Sequence, residues 1–563
     1  MFIIKGCALM RYILNGFSKL KYKLNIWSLS SIVVILILTI PSLSVFSGLF
    51  YPGNSNWIHF KAYLLSDYIS NTVILISSVG IAAAISGTLL AWLVCMYDFP
   101  GRRFFKWALI LPLSIPPYMG AYTYAGIFDY TGPVQTLIRQ QTSWSIDPRH
   151  FDIMSIQGAS FIFTIFLFPY VYMLVRSFLV NQSSSMLESS RLLGSSGISS
   201  FFAVIVPLSR VSIAGGVSLV MLEVLNDYGV VKYLGIPALS TAIFKAWFSL
   251  GDIQTAIKLS SYLMLAVCIV LILEKLLRGR RSFSYSSTKI RPLNATKLHG
   301  LHAFGATTVC ALFFSAGFLV PLLQLASWSF KTYASVFDVD LLKAGFQSAL
   351  TAGIAALLIT LLSIIIANSS RISKGLASIA YSRIISFGYS IPGAVIAIGV
   401  LSLFVYLDRI IHPLYSSINS SAPSLLLSGS ILMLIFAYVV RFMSIGYNSI
   451  DAGFEKNGRS YYEASRTLGM NITQTFFKVD MKMLKPAIAS AFILVFVDIL
   501  KELPLTLILR PFNFNTLSTK AFQYANDEMV QEASIASLII VLISAVLILL
   551  LNKKNSKGEH NAF

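Results

Sequence analysis

Glu188-Ser-Ser-Arg-Leu-Leu-Gly194 and Glu463-Ala-Ser-Arg-Thr-Leu-Gly469 stand 275 positions apart in a chain of 563 residues. The likeness continues without a gap. Phe201-Phe202 falls on Phe476-Phe477, Val204 on Val479, Ile213-Ala214 on Ile488-Ala489 and Leu219-Val220 on Leu494-Val495, ending at Leu225 and Leu500. That gives 13 identities in the 38 positions from Glu188 to Leu225. Several are polar or glycine, so apolar bias does not account for them, and an internal duplication is in place before any element is assigned. Fainter echoes flank it: Ser114-Ile115-Pro116 with Ser390-Ile391-Pro392, and Leu239-Ser240-Thr241 with Leu517-Ser518-Thr519.

The composition says what is duplicated. Hydrophobic residues make up 56% and charged residues 12%, about half the charged share of a soluble domain. Apolar blocks reach the ~20 residues that cross a bilayer and lack the alternation of a membrane barrel. Twelve spans are predicted. In the first copy they are Trp27–Phe50, Ile69–Met96, Phe105–Phe128, Ile156–Leu179, Leu208–Val230 and Thr255–Leu277. In the second they are Ala303–Phe330, Ala344–Asn368, Ile379–Leu407, Ser424–Tyr447, Leu484–Leu509 and Ala533–Leu551. The expected fold is an all-α polytopic membrane protein. Six spans is an even number, so both copies enter the membrane alike, related by an axis along its normal with a pathway between them. The domain plan is a tail to 26, a first transmembrane domain 27–277, a basic Ser-rich linker 278–302, a second transmembrane domain 303–551 and a tail 552–563. The repeated loops lie near 181–207 and 449–486.

Lys and Arg number 43 against 23 Asp and Glu, a net charge of +20. The basic residues gather in alternate connections and in both tails, which places both termini in the cytoplasm. No basic patch interleaves with aromatics on a soluble domain, so nucleic acid is not the expected partner. Cys7, Cys95, Cys268 and Cys310 form no CxxC pair, and the six histidines show no metal-ligand spacing. No nucleophile elbow appears, and no metal site is expected. The apolar run to Phe50 favours an uncleaved first span over a signal peptide.

The repeated loops carry the functional signal. Each reads as a short helix ending at Gly194 or Gly469, the residue that suits a left-handed cap, then a second helix opening on Phe201-Phe202 or Phe476-Phe477. Arg191 and Arg466 follow Glu188 and Glu463 by three residues, on the same helical face. Loops that only connect are free to vary, so twin loops imply two copies of one partner surface. A lone amphipathic helix lying on lipid is the plain alternative. No P-loop is present, since the chain contains no Gly-Lys dipeptide.

These loops resemble the EAA motif of bacterial ABC importer permeases, in which the Glu and a Gly six residues later mark the coupling helix. Where that family favours Leu-Pro 18 and 19 residues after the Glu, the first copy has Val206-Pro207 and the second has Met481-Lys482 with its proline at Pro486. The resemblance implies a type I importer permease with two copies of an ATP-binding subunit below and a periplasmic binding protein above. ATP and magnesium then sit on the partner, and this chain has no cofactor and is not itself an enzyme.

The fifth span of each copy carries charge near its far end: Glu223, Asn226 and Asp227 in one, Asp498, Lys501 and Glu502 in the other. Glu223 matches Asp498, and Asp227 matches Glu502. Ionisable groups within a membrane are expensive, and each is a functional candidate. These acids are assigned to the translocation pathway, with internal pairing around Lys501 as the structural alternative. The run from Lys501-Glu-Leu-Pro504 to Arg510-Pro-Phe-Asn-Phe514 resembles the ferric-iron branch of the family. Thiamine and phosphonate permeases share the fused layout, and an ion-coupled carrier with 6+6 helices is the rival of another class.

Overall fold

The computed structural model describes residues 26–141, 152–180, 192, 194, 197–278, 295–372, 376–417 and 425–560. Most of the basic linker, both chain ends, and Glu188 and Arg191 of the first loop lie outside them. Among the described residues the regular elements are helices, apart from Tyr97–Asp98 and Thr296–Lys297, two short parallel strands. Eleven helices among the described residues are long and apolar enough to cross a membrane.

The twelfth expected span is accounted for by proline chemistry. Phe105–Phe128 is divided into a helix Arg102–Ala108, a 3-10 turn Leu111–Ser114 and a helix Pro117–Phe128. Pro112, Pro116 and Pro117 lack the N–H that a continuous helix needs. The matching span of the second copy breaks at the matching place, into Leu376–Ser390 and Gly393–Ser416 around Pro392. The fifth spans also stop early. Val206–Asn226 ends before Asp227 and is followed by Gly229–Tyr233, while Met481–Lys501 is followed by Pro504–Leu509. Each expected span there is a long helix plus a short one.

Both fifth spans open on a π turn, Phe201–Ile205 and Phe476–Asp480, again 275 positions apart. A further match lies beyond the short helices. The Leu-Ser-Thr triplets at 239–241 and 517–519 begin helices leading to left-handed corners at Gly251 (φ 60) and Glu528 (φ 64). The offset falls from 278 to 277 between triplet and corner, and a π turn at Lys245–Ser249 in the first copy absorbs the extra residue.

The chain forms two compact units. One comprises Met1–Ser44, Ala349–Ile391 and Gly399–Ile499; the other comprises Val45–Ser348, Pro392–Ile398 and Leu500–Phe563. In the first, Trp27 packs on Phe476 with ring centroids 4.8 Å apart, and Gly446 lies so close to Ile359 and Ser363 that a Cβ would stand 2.8 and 2.6 Å from their side chains. In the second, Leu65–Met96 and Ile156–Val180 cross at Gly87, where a Cβ would stand 2.6 Å from that of Val171. Small residues at crossings are how helices approach closely without a hydrophobic drive from water.

Candidate functional site

The second loop is described in full. Helix Ser460–Thr467 ends at Leu468, and Gly469 turns left-handed at φ 83. Its N–H donates to Arg466 O at 3.1 Å, and that of Met470 donates to Ser465 O at 3.2 Å. That pair of bonds closes a Schellman cap. Asn471 and Gln474 then cap the next turn reciprocally, and the Ser465 and Thr475 hydroxyls meet at 2.7 Å across the corner. The corner is therefore rigid. Glu463, Arg466, Gly469 and Phe477 are exposed on it.

The two phenylalanines of the pair part ways. Phe476 is buried beneath Trp27, whereas Phe477 is 60% exposed. In the first copy Trp92 covers Phe201 at 4.7 Å, while Phe202 is 67% exposed. The left-handed turn recurs at Gly194, φ 81. Each copy thus offers one free aromatic, and the other is an anchor for the wide turn.

A fastening of the second loop had no signal in the sequence pattern. Asp480, at the end of the π turn, pairs with Arg371 at 2.5 and 2.8 Å, both nearly enclosed. The guanidinium also lies over Phe454 and Tyr462, at 4.4 and 4.7 Å from their ring centres. The residue matching Asp480 in the first copy is Ile205, which is buried. An ion pair in one repeat stands where the other has hydrocarbon.

The fifth-span ends are built around orphaned backbone groups. Val230 N–H donates to the Asp227 carboxylate at 2.7 Å, and Leu505 N–H donates to Glu502 Oε1 at 3.0 Å. Val230 and Leu505 match across the repeat, so both acids cap the short helix that follows. Asn226 and Lys501 also match. Asn226 Oδ1 accepts from Gly393 N–H at 2.7 Å, at the start of the second copy's broken helix. Lys501 Nζ donates to Leu113 O at 3.2 Å, before the first copy's break. A continuous helix would satisfy Leu113 O through residue 117, but Pro117 has no N–H to give. Each repeat therefore fastens the proline break of the other.

Glu223 and Glu502 both lie within electrostatic reach of Asp227. Asp498 stands one turn before Glu502 on its helix and is half-buried. Tyr118 follows the first break. Its ring meets Phe522 edge-on at 6.2 Å, and a Cβ on Gly229 would lie 2.6 Å from its own and 2.9 Å from the Leu503 side chain. Among the described residues no three His, Cys, Asp or Glu side chains are grouped to hold a metal ion.

A cavity of about 1360 Å³ opens beside the corner of the second copy, lined by Asp129, Asp152, Glu528 and Glu532, with Lys331 and Tyr233. A hydrogen bond from the Thr131 hydroxyl holds the Asp129 carboxyl below its usual range, against a smaller upward push from burial.

Broken spans and a left-handed glycine corner in each copy, set among helices long and apolar enough to cross a membrane, fit a transport permease. Residues 359–556 match the family described as binding-protein-dependent transport system inner membrane component. It is 27% identical over 498 residues to the Fe(3+)-transport system permease protein FbpB 2 of Haemophilus influenzae, covering 87% of this chain and 90% of that one. The ferric transport system permease protein FbpB of Actinobacillus pleuropneumoniae is 24% identical over 517 residues, 86% and 72% of the two chains. The sulfate transport system permease protein CysW of Escherichia coli is 26% identical over 204 residues, 34% of this chain and 66% of that one.

Proposed function

We propose that this chain is the membrane subunit of an ATP-driven importer that carries ferric iron across a bacterial inner membrane, with both termini cytoplasmic. The observation that carries the reading is the pair of left-handed glycine corners, each followed in register by a π turn that exposes one phenylalanine. A rigid corner with a free aromatic is a docking element for a groove on a soluble partner. Two such corners take two copies of an ATP-binding subunit, which holds ATP and magnesium and performs the hydrolysis. Glu188, Arg191, Gly194, Phe201 and Phe202 form one coupling element; Glu463, Arg466, Gly469, Phe476 and Phe477 form the other.

A periplasmic binding protein delivers the ion to the opposite face. The ion passes the charged fifth-span ends, where Glu223, Asp227, Asp498, Lys501 and Glu502 line its path. The long alignment to relatives named for ferric transport favours iron over thiamine, phosphonate or sulfate. The test is labelled uptake in membranes holding the chain and its partners, with iron, thiamine, phosphonate and sulfate in separate arms. Glu463→Lys is expected to abolish iron uptake and retention of the ATP-binding subunit while the chain still inserts. Solute accumulation by vesicles holding the chain alone overturns the reading in favour of an ion-coupled carrier.

A further inference from the structure

Among the described residues, the lining of the acidic cavity beside Glu528 includes no buried polar group lacking a partner. The apolar cavity of about 320 Å³ between Ile35 and Met443 has nothing to identify an occupant. The ring of groups around Tyr118 differs, because it encloses a buried hydroxyl without a hydrogen-bond partner.

Tyr118 is 3% exposed, and its hydroxyl has no hydrogen-bond partner. A buried hydroxyl left unsatisfied costs about 1–3 kcal/mol, and such groups in a native structure call for a cause. The hydroxyl lies within electrostatic reach of Asp227 and of Glu502. Asp227 makes no ion pair among the described residues. The two carboxylates come from matched positions of the two repeats, and each is pinned through one oxygen to the N-terminus of a short helix. Their positions are thus set by backbone, and the phenol is set by Phe522 and the close approach at Gly229. An oxygen-only set of two carboxylates and a phenol suits a hard, highly charged cation and disfavours soft metals.

We propose that Tyr118, Asp227 and Glu502 form a transit site for a hard trivalent cation, with the phenol oxygen as the donor that neither repeat supplies by symmetry. This rests on the cation-importer reading and adds to it a ligand outside the acidic fifth spans. Three donors are too few for a resident metal. A transported ion must bind well enough to enter and weakly enough to leave, and the same need shapes channel filters. Asp227 and Glu502 then have two tasks, capping by one oxygen and presenting charge. The isosteric amides separate them, since Asn and Gln keep an acceptor oxygen for the helix and lose the charge.

The experiment measures terbium(III) binding to the purified full-length chain in detergent, read as luminescence excited through tyrosine, with thermal melting as the folding control. Tyr118→Phe keeps the ring and removes one oxygen. It is expected to weaken the tightest terbium site about tenfold, with a matching loss of sensitised emission, and Asp227→Asn with Glu502→Gln is expected to weaken it about a hundredfold. Wild-type affinity and emission in Tyr118→Phe overturn the proposal, as does wild-type affinity in the double variant. The substrate reading fails separately. If the complete transporter accumulates no iron while terbium still binds in a Tyr118-dependent way, the site stands and the assignment to ferric iron falls.

Discussion

Asn226 and Lys501 hold the same position in the two repeats, yet one is a neutral amide and the other a cation. The difference follows from what each one meets. The first copy's break contains Pro116-Pro117, which strands the carbonyl of Leu113 and calls for a donor. The second copy's break contains Pro392-Gly393, whose glycine offers an N–H and calls for an acceptor. Duplication preserved the place of the fastening, and the proline pattern of the opposite copy set its chemistry. The same contrast appears at the wide turns, where one copy has the ion pair Arg371–Asp480 and the matching position of the other is the hydrocarbon of Ile205.

Three groups of changes break or sharpen that comparison. The largest effect is expected at Asp480. Asp480→Ala leaves the Arg371 charge enclosed and unpaired, which costs about 3–5 kcal/mol, and the chain should lose its cooperative melt in detergent. Arg371→Met with Asp480→Ile copies the apolar solution of the first repeat and should restore melting to within about 1 kcal/mol of the parent. A double variant as unstable as the single one would show that the ion pair does something Ile205 does not.

A smaller effect is expected where the orphans are. Lys501→Met strands Leu113 O, and Asn226→Leu strands Gly393 N–H, each at about 1–3 kcal/mol. Asn226→Lys sets a donor against a donor and should be worse than Asn226→Leu, whereas Lys501→Gln keeps a donor and should be milder than Lys501→Met. Thermal melting ranks the four, and an inverted order within either pair would remove the complementarity argument. The smallest effect is expected at the corners. Gly251→Ala forces an L side chain into a left-handed backbone at about 1–2 kcal/mol. Glu528→Gly relieves that strain and, after the added flexibility of the unfolded chain, should shift stability by less than about 1 kcal/mol.

The repeat, the helical class and the two glycine corners were legible because they rest on local rules: identity at a fixed offset, apolar length, and the left-handed preference of glycine. The broken spans were less so. Pro116 and Pro392 fall inside spans that hydropathy reads as continuous, since hydropathy does not register a missing N–H. The splitting of each Phe pair into an anchor and a free ring depends on Trp27 and Trp92, which sit far from the loops in sequence. Nothing local says that Arg371 and Asp480, 109 positions apart, will meet. Glu188 and Arg191 lie outside the described residues, so the first loop is seen through Gly194, Phe201 and Phe202.

The π turns at Phe201–Ile205 and Phe476–Asp480 also record history. A π turn is an α-helix that has taken in one residue too many. Finding the surplus residue at the same place in both copies points to one mutational event in a six-span ancestor, inherited twice when the gene was copied. The two copies are now bound to each other's phase: deleting the surplus from one alone would turn its fifth span by roughly 100°, swinging one carboxylate away from its twin while the other stayed.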